Sequence, residues 1–435
     1  MERALRWLLP GLRLKRWGAL VAAGALLMSL GGWYFLGSFG RLPAHRLPWL
    51  GVVIATGGLI FGIAGMRGMI RTLLEVFSPL SGGNVAESYA RAHALIRGPR
   101  VVVIGGGTGL PVLLRGLKEF TANLTAIVTV ADDGGSSGRL RWEMDVPPPG
   151  DIRNCLLALA DTEPLLDQLF QYRFDTGTGL SGHAFGNLFI AAMTRITGDF
   201  EVAVRESSRV LAVRGRVLPA SPQALMLGAR LSDGGEVIGE SRIASVASRI
   251  SHVFLEPADA PANADAVAAL GEADIIVLAP GSLYTSVLPN LLVAGIADAV
   301  RRSGALRVYV QNIMTQPGET EGYTAADHVQ AIRDHVGDGL LDYALVSNSP
   351  VPPSLRSRYQ EQGASVVEPA AERLRSLGVG IVEADLLEEG VYVRHHSTNT
   401  ARAILALWLR ERRPRETRRL IETYYLQERL KASSR

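Results

Sequence analysis

The residues best suited to chemistry are a set of glycine-rich and polar segments, each placed directly after an apolar run. Val101-Val102-Val103-Ile104 is followed by Gly105-Gly106-Gly107-Thr108-Gly109 and then Leu110-Pro111. Glycines allow a tight turn and let the backbone approach a phosphate with no side chain in the way. Pro111 suits a first helical turn, where its missing N–H is not needed. The helix start then offers free N–H groups to an anion. A dinucleotide fingerprint would place Gly at 110, where the chain has Leu, and a Walker loop would need Gly-Lys-Ser/Thr, which is absent. Hydride transfer on NAD and ATP hydrolysis of the Walker kind are therefore disfavoured.

The next apolar run leads into Asp132-Asp133-Gly134-Gly135-Ser136-Ser137-Gly138-Arg139. A plain turn needs only Gly or one Asp, so two carboxylates, a Gly/Ser loop and a cation exceed that need. Asp132 or Asp133 falls where a dinucleotide fold puts its ribose-binding acid. With Mg²⁺ present, the same carboxylates could meet a metal that bridges phosphates. Arg139 could pair a phosphate bidentately. In Pro147-Pro148-Pro149-Gly150-Asp151-Ile152-Arg153-Asn154, Asp151 serves equally as a helix N-cap or as a catalytic acid. Arg153 and Asn154 would then sit on the first turn. Ser181-Gly182-His183-Ala184-Phe185-Gly186-Asn187 puts His183 and Asn187 four apart, on one face if helical. Two later runs end in Gly281-Ser282-Leu283-Tyr284-Thr285 and in Gln311-Asn312-Ile313-Met314-Thr315-Gln316.

A helix terminus stabilises an anion by about 0.3–2 kcal/mol, whereas micromolar binding of a nucleotide needs about 8 kcal/mol. The glycine loop cannot supply that alone, so several of these segments must converge on one ligand.

The elements that position them are short β-branched runs, Val101–Ile104, Ile127–Val130, Ile275–Leu278, Val308–Val310 and Leu345–Val346, separated by helical segments. Strands buried on both faces read this way, and the pattern predicts a doubly wound, mostly parallel α/β sheet. Val210–Val217, Ala224–Leu231 and Val237–Ser241 read as strands of a small β-rich insertion spanning about 210–256, with a hairpin at Asp233-Gly234-Gly235. Thr398–Arg410 reads as a helix, and a basic helical tail follows over 411–435.

At the front of the chain, Gly18–Leu36 and Trp49–Met66 carry no charge and are each long enough to cross a bilayer. Gly37–Pro48, with two prolines and two arginines, reads as the turn between them, and Gly58 and Gly62 give a small-xxx-small spacing for close packing. Cations are richer on the outer flanks, which places both termini in the cytoplasm. The domain reading is a hairpin over 1–71, a linker over 72–98, an α/β domain over 99–410 and the tail. A formal net charge of +3 over 435 residues gives no electrostatic case for nucleic acid. Cys155 is the only cysteine, which excludes an internal disulfide and a thiolate metal cage, and no second His or Cys near His183 has zinc spacing.

Together the segments resemble the gluconeogenesis factor family, the YvcK branch of the CofD-like proteins. The resemblance is carried by VVVIGGGTGLPVLLRGLK from Val101, TVADDGGSSGRLR from Thr129, PPGDIRNCL from Pro148, SGHAFGNL from Ser181, APGSLYTSVLPNLL from Ala279 and NIMTQPGET from Asn312. It implies a three-layer, Rossmann-like CofD fold and the binding of UDP-sugars such as UDP-N-acetylglucosamine. It also implies a role in cell shape and wall-precursor supply during gluconeogenic growth. The family's Tyr before Gly-Ala-x-Val and its Arg in Arg-His fall on Tyr359 and Arg394. Arg-His is usually followed by Asp-Pro, where this chain has His396 and Ser397. The family is ordinarily soluble, so the hairpin marks a membrane-stationed version. Related CofD enzymes transfer a phospholactyl group, and there Asp132, Asp133 and Asp151 would hold Mg²⁺. No cofactor is required on the regulator reading. A homodimer and an unidentified envelope-synthesis partner are both compatible with it.

Overall fold

The computed structural model describes residues 14–37, 47–77 and 95–411, apart from positions 162, 163, 244, 247 and 389. Of the expected linker over 72–98, residues 72–77 continue the second helix and 78–94 lie outside the described residues, as do most of the inter-helix turn and the tail beyond Glu411.

The chain divides into two compact units, Met1–His93 and Ala94–Arg435. In the first, helices Leu14–Gly37 and Pro48–Phe77 form a hairpin, and both are long and apolar enough to cross a membrane. Glycines set their separation. A Cβ on Gly24 would lie 2.5 Å from the Gly62 nitrogen, and one on Gly31 would lie 2.5 Å from that of Ala55. Gly58 abuts the backbone of Gly24 and Met28 in the same way, so Gly58 and Gly62 both belong to the seam. Gly51 meets Phe35, which brings Trp33, Tyr34 and Trp49 to one end of the hairpin.

The second unit is built on seven strands: β1 (Val101–Gly105), β2 (Leu124–Val128), β3 (Arg216–Pro219), β7 (Ile275–Leu278), β8 (Leu306–Val310), β9 (Tyr343–Ser347) and β10 (Gly380–Ala384). Their order is β10-β9-β8-β7-β1-β2-β3, and every ladder is parallel. β1, β2 and β7 are buried along their whole length, as strands covered by helices on both faces must be. The strand order reverses between β1 and β7, which opens a crevice at their carboxyl ends, where ligands of such folds bind.

Three further strands, β4 (Met226–Leu231), β5 (Glu236–Ile238) and β6 (Ile250–Glu256), form an antiparallel sheet in the order β5-β4-β6. The β-rich insertion is thus narrower than expected. Phe200–Val210 is a helix capped by Asp199, whose Oδ1 accepts the Val202 N–H at 2.8 Å. Arg216–Pro219 then joins the main sheet beside β2. The expected hairpin at Asp233-Gly234-Gly235 joins β4 to β5, with Gly234 at φ +88°. Val237–Ser241 is not one strand: Gly239, at φ +112°, ends β5 and starts the short helix Glu240–Ile243. The expected strand over Ile127–Val130 begins earlier, at Leu124, because Thr129 and Val130 already belong to the loop beyond β2. β10 had no signal, since it lies at the sheet edge, half-buried and interrupted by Glu383. A last two-stranded ribbon pairs β11 (Leu387–Glu388) with β12 (Arg394–His395), ahead of helix Ser397–Glu411.

Candidate functional site

β1 turns through Gly107, at φ +62°, into helix Gly109–Leu117. A Cβ on Gly109 would sit 2.0 Å from the Pro280 carbonyl oxygen, so its glycine is required for the loops after β1 and β7 to touch. Gly105 and Gly106 face Ala279, Thr129 and Asp151 at similarly short range and serve packing. Asp151 does not cap its own helix, Gly150–Leu159. Its Oδ2 instead accepts the Gly107 N–H at 2.6 Å. The carboxylate thereby holds the glycine loop in its left-handed turn. Beyond β7 the chain makes a π-helical turn, Leu283–Val287, a geometry often found at functional sites. Asn312, after β8, clasps this loop from the other side: its Oδ1 accepts the Gly281 N–H at 2.9 Å and its Nδ2 donates to Gly281 O at 2.7 Å.

Between these loops lies a cavity of about 660 Å³. Of the residues expected to bind ligand, Gly107, Thr108, Gly109, Asn154, Gly281, Ser282, Thr285, Asn312, Gln316, Tyr359 and Arg394 line it. β12 explains how Arg394 arrives. His395 is buried and fastened through Nε2 to the Gln311 carbonyl at 3.0 Å, which leaves its neighbour facing the cavity. Burial pushes the His395 imidazole down to about 4, so it is neutral. His396, standing where the family has Asp, caps helix Ser397–Glu411: its Nδ1 accepts the Asn399 N–H at 3.3 Å. An acceptor at that position is what a helix start requires. The Tyr359 hydroxyl accepts the Val393 N–H at 3.3 Å, which ties the aromatic ring to the same ribbon.

Other expected residues lie elsewhere. Ser136, His183 and Asn187 form a buried cluster, with Ser136 Oγ 3.1 Å from both His183 Nδ1 and Asn187 Nδ2. His183 precedes helix Phe185–Thr197 rather than sharing its face, yet the helix start still brings it to Asn187. Arg139 donates to Ser181 O at 2.9 Å, and Arg153 donates to Asn154 Oδ1 at 2.8 Å. Tyr284 points into the core, its hydroxyl 2.8 Å from that of Tyr323. Gly135, at φ +50°, opens helix Gly135–Met144.

Asp132 and Asp133 face different partners. Asp132 Oδ1 accepts the Gly134 N–H at 2.9 Å, and Asp133 Oδ1 accepts the Ser241 N–H at 2.8 Å. Among the described residues no three His, Cys, Asp or Glu side chains converge to hold a metal. Each of the two carboxylates keeps its Oδ2 clear of these two bonds.

Three groups on or beside the cavity escaped the sequence reading. Arg115 and Arg394 line it, and neither makes an ion pair among the described residues. Glu319 is buried, with both Ser282 Oγ and Gln316 Nε2 donating to it, and burial raises its carboxyl. Glu240 reaches the cavity from the β4–β6 insertion. Burial, then Asp132, Asp133, Glu319 and Asp151, raise its carboxyl to about 7. Burial likewise raises Asp151 to about 6, with Asp132 adding to the rise and the Gly107 N–H opposing it. Arg115 and Glu319 lie within segments already singled out. Glu240 had no local signal.

The fold and crevice define a doubly wound α/β protein with a polar cavity at its topological switch point. The family of 2-phospho-L-lactate transferase CofD matches residues 101–387. Over 420 residues the chain is 48% identical to a putative gluconeogenesis factor from Nostoc, covering 92% of this chain and 91% of that protein. A gluconeogenesis factor from Bacillus subtilis is 49% identical over 72% of this chain and 99% of its own length. A putative gluconeogenesis factor from Clostridium acetobutylicum aligns with 98% of this chain and 96% of itself, at 42% identity. A crystal structure of a UPF0052-family protein from Bacillus halodurans superposes with a TM-score of 0.69 at 53% identity, over 71% of this chain and 99% of that one. The chain belongs to the gluconeogenesis factor family and carries its CofD-like domain. The Clostridium alignment leaves no room to omit the hairpin region, so an N-terminal extension is not peculiar to this chain.

Proposed function

We propose that this protein binds a UDP-sugar of the UDP-N-acetylglucosamine type and acts as a regulator of cell shape and wall-precursor supply during gluconeogenic growth. The observation that carries this reading is the cavity itself. Its volume lies within the range of small-molecule sites. It sets a helix start and two arginines that make no ion pair among the described residues, suited to a diphosphate, beside Tyr359, suited to stacking on a base. The N-terminal hairpin tethers the domain to the cytoplasmic face of the cell membrane, with both chain ends inside. Calorimetry with UDP-N-acetylglucosamine tests the binding: saturable heat at micromolar to submillimolar ligand is expected, and no heat at millimolar ligand overturns it.

The matching transferase family supports a second reading, a CofD-type transferase acting on a nucleotide-activated phospholactate-like donor. It requires Mg²⁺-dependent release of a nucleoside phosphate that Asp132→Asn abolishes.

A further inference from the structure

Glu240 is the only acidic side chain among the described residues that line the cavity. The four carboxylates that bear on it are already engaged. Asp132 takes the Gly134 N–H, Asp133 the Ser241 N–H, Asp151 the Gly107 N–H, and Glu319 the Ser282 hydroxyl. The Glu240 carboxylate has no such partner among the described residues. Its neighbour Ser241 is tied to Asp133 beyond β2, whereas Arg394's neighbour His395 is tied to Gln311 beyond β8, with two strands between β2 and β8 in the sheet, so Glu240 and Arg394 reach the cavity from opposite sides. The cavity is therefore polarised. One region offers Arg115, Arg394 and a helix start, while Glu240 marks a region dominated by negative charge.

A diphosphate must settle on the cationic region, which turns the remainder of the ligand towards Glu240. A carboxylate there has free lone pairs and can accept hydrogen bonds from hydroxyl groups. A second negative charge placed beside it meets no compensating cation. Resting on the UDP-sugar reading above, we propose that Glu240 reads the sugar: it accepts hydrogen bonds from the hydroxyls of a neutral hexose and rejects a hexose that carries its own carboxylate. Selectivity then comes from the β4–β6 insertion, whereas the phosphate site comes from the sheet. The elevated carboxyl of Glu240 agrees, because the free site already resists one negative charge and resists two more strongly.

The test compares UDP, UDP-glucose and UDP-glucuronate, the two sugars differing only in a hydroxymethyl against a carboxylate. Each is titrated calorimetrically at pH 8 into the full-length chain in detergent, as wild type, Glu240→Gln and Glu240→Ala. Wild type should prefer UDP-glucose to UDP-glucuronate by about tenfold or more, as a hydrogen bond to a charged group allows. Glu240→Gln should close most of that gap. Glu240→Ala should weaken UDP-glucose about tenfold while leaving UDP unchanged, a pattern that general unfolding would not give. A preference that survives in Glu240→Gln, or equal losses for UDP and UDP-glucose in Glu240→Ala, overturns the role of Glu240 and leaves the UDP-sugar reading standing. Failure of wild type to bind any of the three overturns the role of Glu240, and failure to bind UDP-N-acetylglucosamine as well overturns the UDP-sugar reading.

Discussion

Arg394 and Glu240 show how one residue's neighbours decide its use. Arg394 is exposed, stacked over Tyr392 with its guanidinium 5.3 Å from the ring centroid, and it neutralises no carboxylate in the described protein. Arg394→Ala should therefore weaken UDP-N-acetylglucosamine at least tenfold by calorimetry, the scale of one lost charge-assisted hydrogen bond. The melting temperature should barely move, since no buried contact is lost. Glu240 and Asp151 have the opposite character, with carboxyls raised to about 7 and about 6 chiefly by burial. A native carboxyl above its unfolded value holds a proton that the unfolded chain has already lost. The stability it contributes is complete below about pH 4 and is lost as pH rises through 6 and then 7. Glu240→Gln should accordingly melt with wild type near pH 4 and several degrees above it at pH 8. A difference of the same size at both pH values would refute the linkage.

At the scale of elements, the site depends on how closely three loops meet. Gly109 lets the turn after β1 rest on the Pro280 carbonyl, where a Cβ would lie 2.0 Å from oxygen. Gly109→Ala must move backbone on one side or the other, and a cost of about 1–3 kcal/mol or more is expected, as for overpacked cores. Urea unfolding should show this loss, and ligand binding should fall with it. Gly134→Ala is the control. Its Cβ would lie 3.4 Å from Asp132 Oδ1, and its backbone is extended at φ −88°, so little should change. The hairpin follows the same rule, because Gly24, Gly31 and Gly58 each touch backbone of the facing helix.

For the whole molecule, the two units make separate expectations. The Bacillus subtilis relative aligns along 99% of its length with only 72% of this chain. A CofD-like domain thus exists there without this chain's full length, and residues 95–435 alone should fold and bind UDP-N-acetylglucosamine as tightly as the full chain. A tenfold loss of affinity in the truncated protein would show that the hairpin contributes to the site. Membrane topology can be read with thiol labels, because Cys155 is the only cysteine and is buried. A cysteine replacing Ser38 should react with an impermeant reagent on intact cells, and one replacing Ser433 should not. The reverse pattern would invert the proposed orientation.

The sequence by itself determined the apolar cores of the central strands, β1 and β7 whole and the buried ends of β2, β8 and β9 in part, because strands covered on both faces must be apolar there. It also marked the hairpin, through two charge-free stretches, and most of the loops that reach the cavity, through glycine and polar residues placed just past each strand. Edge and insertion elements were less legible. β10 is half-buried and interrupted by Glu383, and β3 is a four-residue strand that opens on exposed Arg216. Only the tertiary structure separated Ser282, Arg394 and Gly107, which face the cavity, from His183, Arg139 and Tyr284, which are spent on packing. Only it brought Glu240 from a distant insertion to the cavity wall. A side chain's type and local spacing state what it can bond, whereas what it does bond depends on which strands the fold has set side by side.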